Sequence, residues 1–229
     1  MKLDVLDFMQ LATRTTQNVG AWDVRTPIDP KTGYGQIKRL KALGKDGRAD
    51  TWDLNLYDDS FVYSWITELA YHTPRDYKKF VGNHLNPKTN KYEDGIIMFP
   101  RWVDPIKNNF EYVTDKAHST YLFFKNCRTD SKVHDLGIVG HVLQGPFDID
   151  LGGNMGRAMV MVHQYFWMDN GVPACEENWY AKDKGWVRWC LKHQDPSTSL
   201  YNAVHLNNKV VLHNNVLSGG APEVNFPCF

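Results

Sequence analysis

Along a chain of 229 residues, 26 acidic and 26 basic side chains cancel, so no long-range field gathers a polyanion and nucleic-acid binding is disfavoured. The apolar fraction is 42% and the aromatic fraction 13%, with eight tryptophans, which suffices for a sizeable core in one large domain, two small ones being the alternative at this length. No apolar run approaches the roughly 18 residues that cross a bilayer, and MKLDVLDFMQ carries acids where a secretory leader needs an unbroken apolar stretch, so neither a membrane span nor a leader is expected.

In chain order, Leu3, Leu6, Met9 and Leu11 fit a short amphipathic helix. Residues 21–35 (AWDVRTPIDPKTGYG) have the Pro, Gly, Asp and Thr content of turns, so residues 1–35 read as an N-terminal arm. A hairpin follows: a strand over 36–43, a GKDG turn at 44–47 and a return strand over 51–57, where Trp52, Leu54 and Leu56 alternate with Asp53, Asn55 and Tyr57. Residues 61–68 make another strand with apolar and aromatic residues on both faces. Thr73 as N-cap and Pro74 at the first helical position predict a short helix to Phe80. The polar stretch 83–95 (NHLNPKTNKYEDG) reads as a loop, and 95–103 as a strand in which Pro100 marks an edge or a bulge. Strands are further expected over 109–114, 120–127 and 138–144.

The stretch 137–190 organises the rest. On residues 158–168, Met159, Met161, His163, Tyr165 and Trp167 fall on one strand face and Val160, Val162, Gln164 and Phe166 on the other. Beyond it, 199–217 reads as two short strands around an Asn turn, and 218–229 as an extended tail. The expected fold is a single all-β domain, an antiparallel β-sandwich of jelly-roll type with one or two short helices. Four widely spaced cysteines, Cys127, Cys175, Cys190 and Cys228, form no CxxC pair and do not suggest a thiolate zinc site. A Cys175–Cys190 bridge across a predicted hairpin and four buried free thiols are both compatible with the sequence.

Two sets of residues carry candidate chemistry. Sugars stack their C–H faces on flat rings while their hydroxyls meet polar side chains. The rings of His163, Tyr165, Trp167, Trp179, Tyr180, Trp186 and Trp189, with Gln144 and Gln164 nearby, suit such a ligand. The second set is His141, His163, Tyr165, Tyr180, Lys182 and Arg188. A lyase needs a His or Tyr to take the proton beside a uronate carboxylate and a polar or cationic group to stabilise the charge that develops. Glycoside hydrolysis needs two facing carboxylates, and no spacing singles out a pair among Glu68, Glu111, Asp148, Asp150, Glu176 and Glu177. Asp148, Asp150 and Asn154, set among glycines, offer oxygens to a structural Ca²⁺ without the regular acidic spacing of a dedicated loop. No other cofactor is expected, since no histidine spacing indicates a transition metal and no phosphate-binding glycine loop or GxSxG elbow occurs.

The segment WYAKDKGWVRW, 179–189, resembles the Tyr-x-Lys-x-Gly strand of jelly-roll alginate lyases at Tyr180 and Lys182, with Gly185 one residue late. The Gln-x-His and Arg-x-Glu-x-Arg strands of that family have no counterpart. The same dozen residues are similar to closing strands of glycan-binding β-sandwich modules. The resemblance implies a carbohydrate-active sandwich, and a polysaccharide is the expected partner. A third expectation is of another class: a structural or adhesive subunit of a viral particle or surface assembly, homo-oligomeric, with Pro222, Phe226, Pro227 and Phe229 of the tail in the interface. Each of these readings favours an extracellular or virion-surface location.

Overall fold

A computed structural model describes residues 1–9, 20–42, 51–68, 76–106, 109–152, 156–169 and 172–193. The N-terminal segment supplies β1 (Leu3–Asp4) and α1 (Leu6–Met9). Then come β2 (Gly20–Arg25), β3 (Gly35–Ala42), β4 (Thr51–Tyr57), β5 (Phe61–Glu68), β6 (Tyr77–Phe80), β7 (His84–Asn86), β8 (Lys91–Glu93), β9 (Ile96–Pro100) and β10 (Trp102–Val103). After β11 (Asn109–Thr114) and a 3₁₀ turn at Lys116–His118 come β12 (Thr120–Lys125), β13 (Arg128–Asp135), β14 (Val139–Asp150), β15 (Arg157–Asp169), β16 (Val172–Ala181) and β17 (Gly185–His193).

The fold is all-β, as its alternation predicts. An eight-stranded sheet runs β13-β12-β6-β5-β4-β3-β2, with β9 also paired to β5, and a five-stranded sheet runs β11-β14-β15-β16-β17. Every described pairing in them is antiparallel. Through β2–β6 and β14–β17 each strand pairs with its sequence neighbour, in the manner of meanders. The two sheets pack face to face. Ile37, Tyr57, Val62, Met98 and Phe99 of the larger sheet meet Leu143, Met161 and Tyr180 of the smaller in one core cluster. A second contact brings Phe80, Ile96 and Tyr121 against Val139, Tyr165 and Trp167.

Four local readings of the sequence are corrected. The predicted turn region 21–35 contains β2, which pairs with β3 over its whole length. The N-terminal arm is core material: Val5, Leu6, Phe8 and Met9 are buried in the main cluster, and the Val5 amide donates to the Arg101 carbonyl at 2.7 Å. The predicted helix to Phe80 ends in a strand, because β6 docks between β5 and β12 and buries Tyr77 and Phe80; sheet pairing outweighs the Thr-Pro start signal. The polar stretch 83–95 holds a small hairpin, β7 with β8. Pro100 does lie beside an irregularity, since the β5–β9 register shifts between Val62 and Tyr63. The strand readings over 199–217 and the tail 218–229 fall outside the described residues.

Both faces of the smaller sheet are buried in its centre. Met161 and His163 are covered on one side, and Val160, Val162 and Phe166 on the other. Phe166 lies directly over Gly140, where an added Cβ would sit 1.7 Å from the ring tip. Gly140→Ala is therefore expected to destabilise by about 1–3 kcal/mol, the usual cost of overpacking. Denaturant unfolding of the variant measures it.

Candidate functional site

The strand face that carries the predicted ring stripe turns toward the larger sheet. His163 and Asn178 are cross-strand partners, as are Tyr165 and Glu176, and His141 sits opposite Tyr165 on β14. This register stacks the rings into a column. Tyr180 lies 6.5 Å from His163, His163 5.2 Å from His141, His141 4.9 Å from Tyr165, and Tyr165 4.8 Å from Trp167, with interplanar angles of 28° or less. Phe99 of the larger sheet closes on His163 edge-on at 5.0 Å.

The column is not an open face along its length. His141 and His163 are each 1% exposed, and Trp179 and Tyr180 are as deeply buried. At the other end Tyr165 and Trp167 are half-buried, so the column runs from fully buried rings to partly exposed ones. His141 Nδ1 and His163 Nε2 share a hydrogen bond of 3.0 Å, while His141 Nε2 meets no hydrogen-bond partner among the described residues. Burial pulls the His141 imidazole down to about 3, so it is neutral at physiological pH.

The larger sheet packs against this end of the column. Phe80 pairs with Tyr121 and both turn inward; Lys78, two residues before Phe80, shares that face. Thr67 pairs with Lys78 and Asp53 with Thr67, so a row of Asp53, Thr67 and Lys78 crosses three strands on the inner side. The Thr67 hydroxyl donates to Asp53 Oδ1 at 2.8 Å. Lys78 Nζ stands 4.8 Å over the Tyr121 ring, and Tyr121 stacks on His134 at 5.3 Å and 18°. Across from this row stand Tyr165, Trp167 and Glu176, all half-buried like Asp53, Thr67 and Lys78. Burial holds the Tyr165 phenol above its ordinary range, and the Glu176 and Asp53 carboxylates, one from each sheet, push it further the same way. The inner faces at this end thus carry flat rings, a cation and two carboxylates.

The remaining predicted residues lie elsewhere. Gln164 and Trp179 are on the opposite face of β15 and β16, where they hydrogen-bond the buried Glu177 carboxylate at 3.3 and 2.9 Å. Gln144 is half-buried on β14 opposite Val162. Lys182, at the end of β16, is half-buried, and its amide donates to the Met159 carbonyl. The side chains of Trp186 and Arg188 lie outside the described residues, as does Asn154. Asp148 is engaged by Arg157, whose Nε and Nη2 donate to it at 3.3 and 3.0 Å, and Asp150 accepts from the Gly152 amide. The suggested Ca²⁺ ligand Asp148 is thus already charge-paired, and no cluster of three or more His, Cys, Asp or Glu suited to a metal occurs among the described residues. Cys127 is disulfide-bonded. A Cys175–Cys190 bridge concerns side chains outside the described set.

Sequence reasoning missed a second polar cluster. Tyr34 donates to Glu93 and lies 3.1 Å from His84 Nε2; His84 Nδ1 donates to the Gly95 carbonyl at 2.7 Å. Tyr63 stacks on His84 at 4.3 Å and donates to Asp58 at 2.8 Å. Burial raises both phenols, with Glu93 adding to the shift at Tyr34 and Asp58 at Tyr63. Burial acts upward on Glu93 too, but hydrogen bonds from Tyr34 and Asn86 outweigh it and hold the carboxyl below its ordinary value. These residues pin the β7–β8 hairpin to the turn before β3. No helix among the described residues is long and apolar enough to cross a membrane. No protein family, curated protein or solved structure matches the chain.

Proposed function

We propose that the half-buried end of the ring column is an open mouth of the sandwich and that it recognises a polysaccharide. The observation that carries this reading is the half-buried end of the ring column. Trp167 and Tyr165 share a packing cluster with Tyr121 of the opposite sheet there, with Lys78 over the Tyr121 ring and Glu176 paired with Tyr165. Ring faces supply stacking area at low entropic cost, and the charged groups supply hydrogen bonds to sugar hydroxyls. The reading differs from an open aromatic sheet face in its location: the sugar enters between the sheets and does not lie along β15. The disulfide at Cys127 suits an oxidising, extracellular or particle-surface setting.

Trp167→Ala is expected to weaken glycan binding at least tenfold, about 1.4 kcal/mol, as buried aromatic anchors do. Trp102→Ala, on the short β1–β10 sheet, is expected to leave binding unchanged. A glycan array followed by calorimetry measures both, with thermal melts to confirm folding. Equal binding by wild type and Trp167→Ala, or binding to no glycan, would sink the reading.

A second reading, a subunit of a larger assembly, draws on Leu85 and Tyr92, side by side on the β7–β8 hairpin and 48% and 54% exposed. Light scattering of the full chain tests it: a concentration-independent monomer contradicts it.

A further inference from the structure

We infer that Cys127 is bridged to Cys228, so that residues 194–227 form a strap fixed to the sandwich at both ends. The inference is independent of the polysaccharide reading. It starts from a hairpin tip. Lys125 pairs with Arg128, so the β12–β13 turn has Asn126 and Cys127 as its central residues, at φ 50° and 62°. Both positions of such a turn need the left-handed region, where asparagine is at ease and glycine usually follows it. This chain has cysteine in the place of that glycine, and the cysteine is disulfide-bonded. Cys127 is half-buried although Lys125, Asn126 and Arg128 around it are exposed. The Asn126 amide donates to Asp76 Oδ1 at 2.9 Å, which holds the tip beside the start of β6.

The sequence offers three partners, Cys175, Cys190 and Cys228, and strand order removes two of them. Cys175 belongs to β16 and Cys190 to β17, the two strands of the smaller sheet farthest from β11. Strand β17 packs against β2, the edge of the larger sheet opposite to β13. Tyr180 of β16 meets Ile37 of β3 and Tyr57 of β4 in the main cluster. From β12, the sheet reaches β4 through β6 and β5, and β2 only after β3 as well. At about 4.8 Å per strand, β12 stands about 14 Å from β4 and about 24 Å from β2, and the gap between the sheets adds about 10 Å more. Bridged cysteines keep their Cα atoms within about 7 Å of each other. Strands β16 and β17 are therefore out of reach of the tip, and Cys228 remains. Residues 194–227, at about 3.3 Å each when extended, cover several times the required distance.

Closing the bridge joins the two Sγ atoms and takes one proton and one electron from each thiol. A small-molecule or protein disulfide accepts them and leaves as two thiols, an exchange that an oxidising compartment supplies. A reducing dithiol reverses it and frees the strap at its Cys228 end.

The test is a peptide map of the full chain, purified under an oxidising glutathione couple, with free thiols alkylated before digestion. A peptide carrying Cys127 joined to one carrying Cys228 is expected, with Cys127 protected from alkylation until a dithiol is added. Cys228→Ser should open Cys127 to alkylation, whereas Cys175→Ser and Cys190→Ser should leave it protected. Cys127 joined to Cys175 or Cys190, or alkylated in the oxidised wild type, overturns the pairing. Protection that persists in Cys228→Ser overturns it too. The wild-type map decides the matter even where a variant does not fold. Limited proteolysis reads the strap itself: after one cut within 194–227 the two fragments should run together on a denaturing gel and separate only on reduction. Separation without reductant overturns the strap.

Discussion

Replacing Arg101 with alanine is expected to lower stability by about 3–5 kcal/mol, the usual result of removing one partner from a buried charge pair. The Arg101 side chain is 11% exposed and its Asp4 partner 12%. Nε and Nη2 hold the Asp4 carboxylate at 3.1–3.4 Å, while Nη1 donates to the Asp58 carbonyl at 3.1 Å. The guanidinium also stands over Tyr57 and Trp102 at 5.3 and 5.0 Å. Truncation would leave Asp4 uncompensated at the point where the N-terminal segment enters the core and where Asp4 also caps the Leu6 amide. The ion pair with Asp59 adds little, since that carboxylate is 86% exposed. A loss of this size corresponds to a melting-temperature drop on the order of 10 °C for a chain of this length, read by calorimetry. Asp59→Ala should shift it by less than about 3 °C.

The second large effect is acid sensitivity centred on His141. Its folded-state value of about 3 lies below the unfolded value near 6.5, so below that pH the unfolded chain binds a proton that the folded chain refuses. The stability is fully present above pH 6.5 and is lost as pH falls toward 3. The slope is about 1.4 kcal/mol per pH unit for this one group. His141→Gln keeps a hydrogen-bonding amide toward His163 and does not titrate. Denaturant midpoints between pH 7 and 4.5 should fall more steeply for wild type than for the variant. Parallel profiles would show that His141 does not set the acid limit.

How much of this was legible in the sequence depended on how each face was used. Strands β3, β4 and β15 announce themselves because their alternation agrees with the pairing. Strand β13 does not, because Arg128–Asp135 is almost wholly exposed at a sheet edge and needs no apolar period. The β7–β8 hairpin uses its polar face for Tyr34 contacts, so composition disguises it as loop. At β4 the alternation separates an apolar face from a polar one with an aromatic, yet Asn55 and Tyr57 are buried along with Leu54 and Leu56. Period two identifies a strand but cannot say which face meets the other sheet when both are covered. For the same reason Trp167 was found at the candidate site while Asp53, Lys78 and Tyr121 were not: their meeting is set by strand order between sheets, which no local pattern records.

The most direct test of the mouth as a binding site is the indole N–H region of the ¹⁵N NMR spectrum. The eight tryptophans each give one signal, and Trp167→Phe identifies the one at the mouth. Titration with neutral oligosaccharides is predicted to shift the Trp167 signal first and to leave Trp102 in place. A spectrum in which Trp167 stays fixed while saccharide binds, or in which the shifts fall on Trp102 instead, would contradict the account.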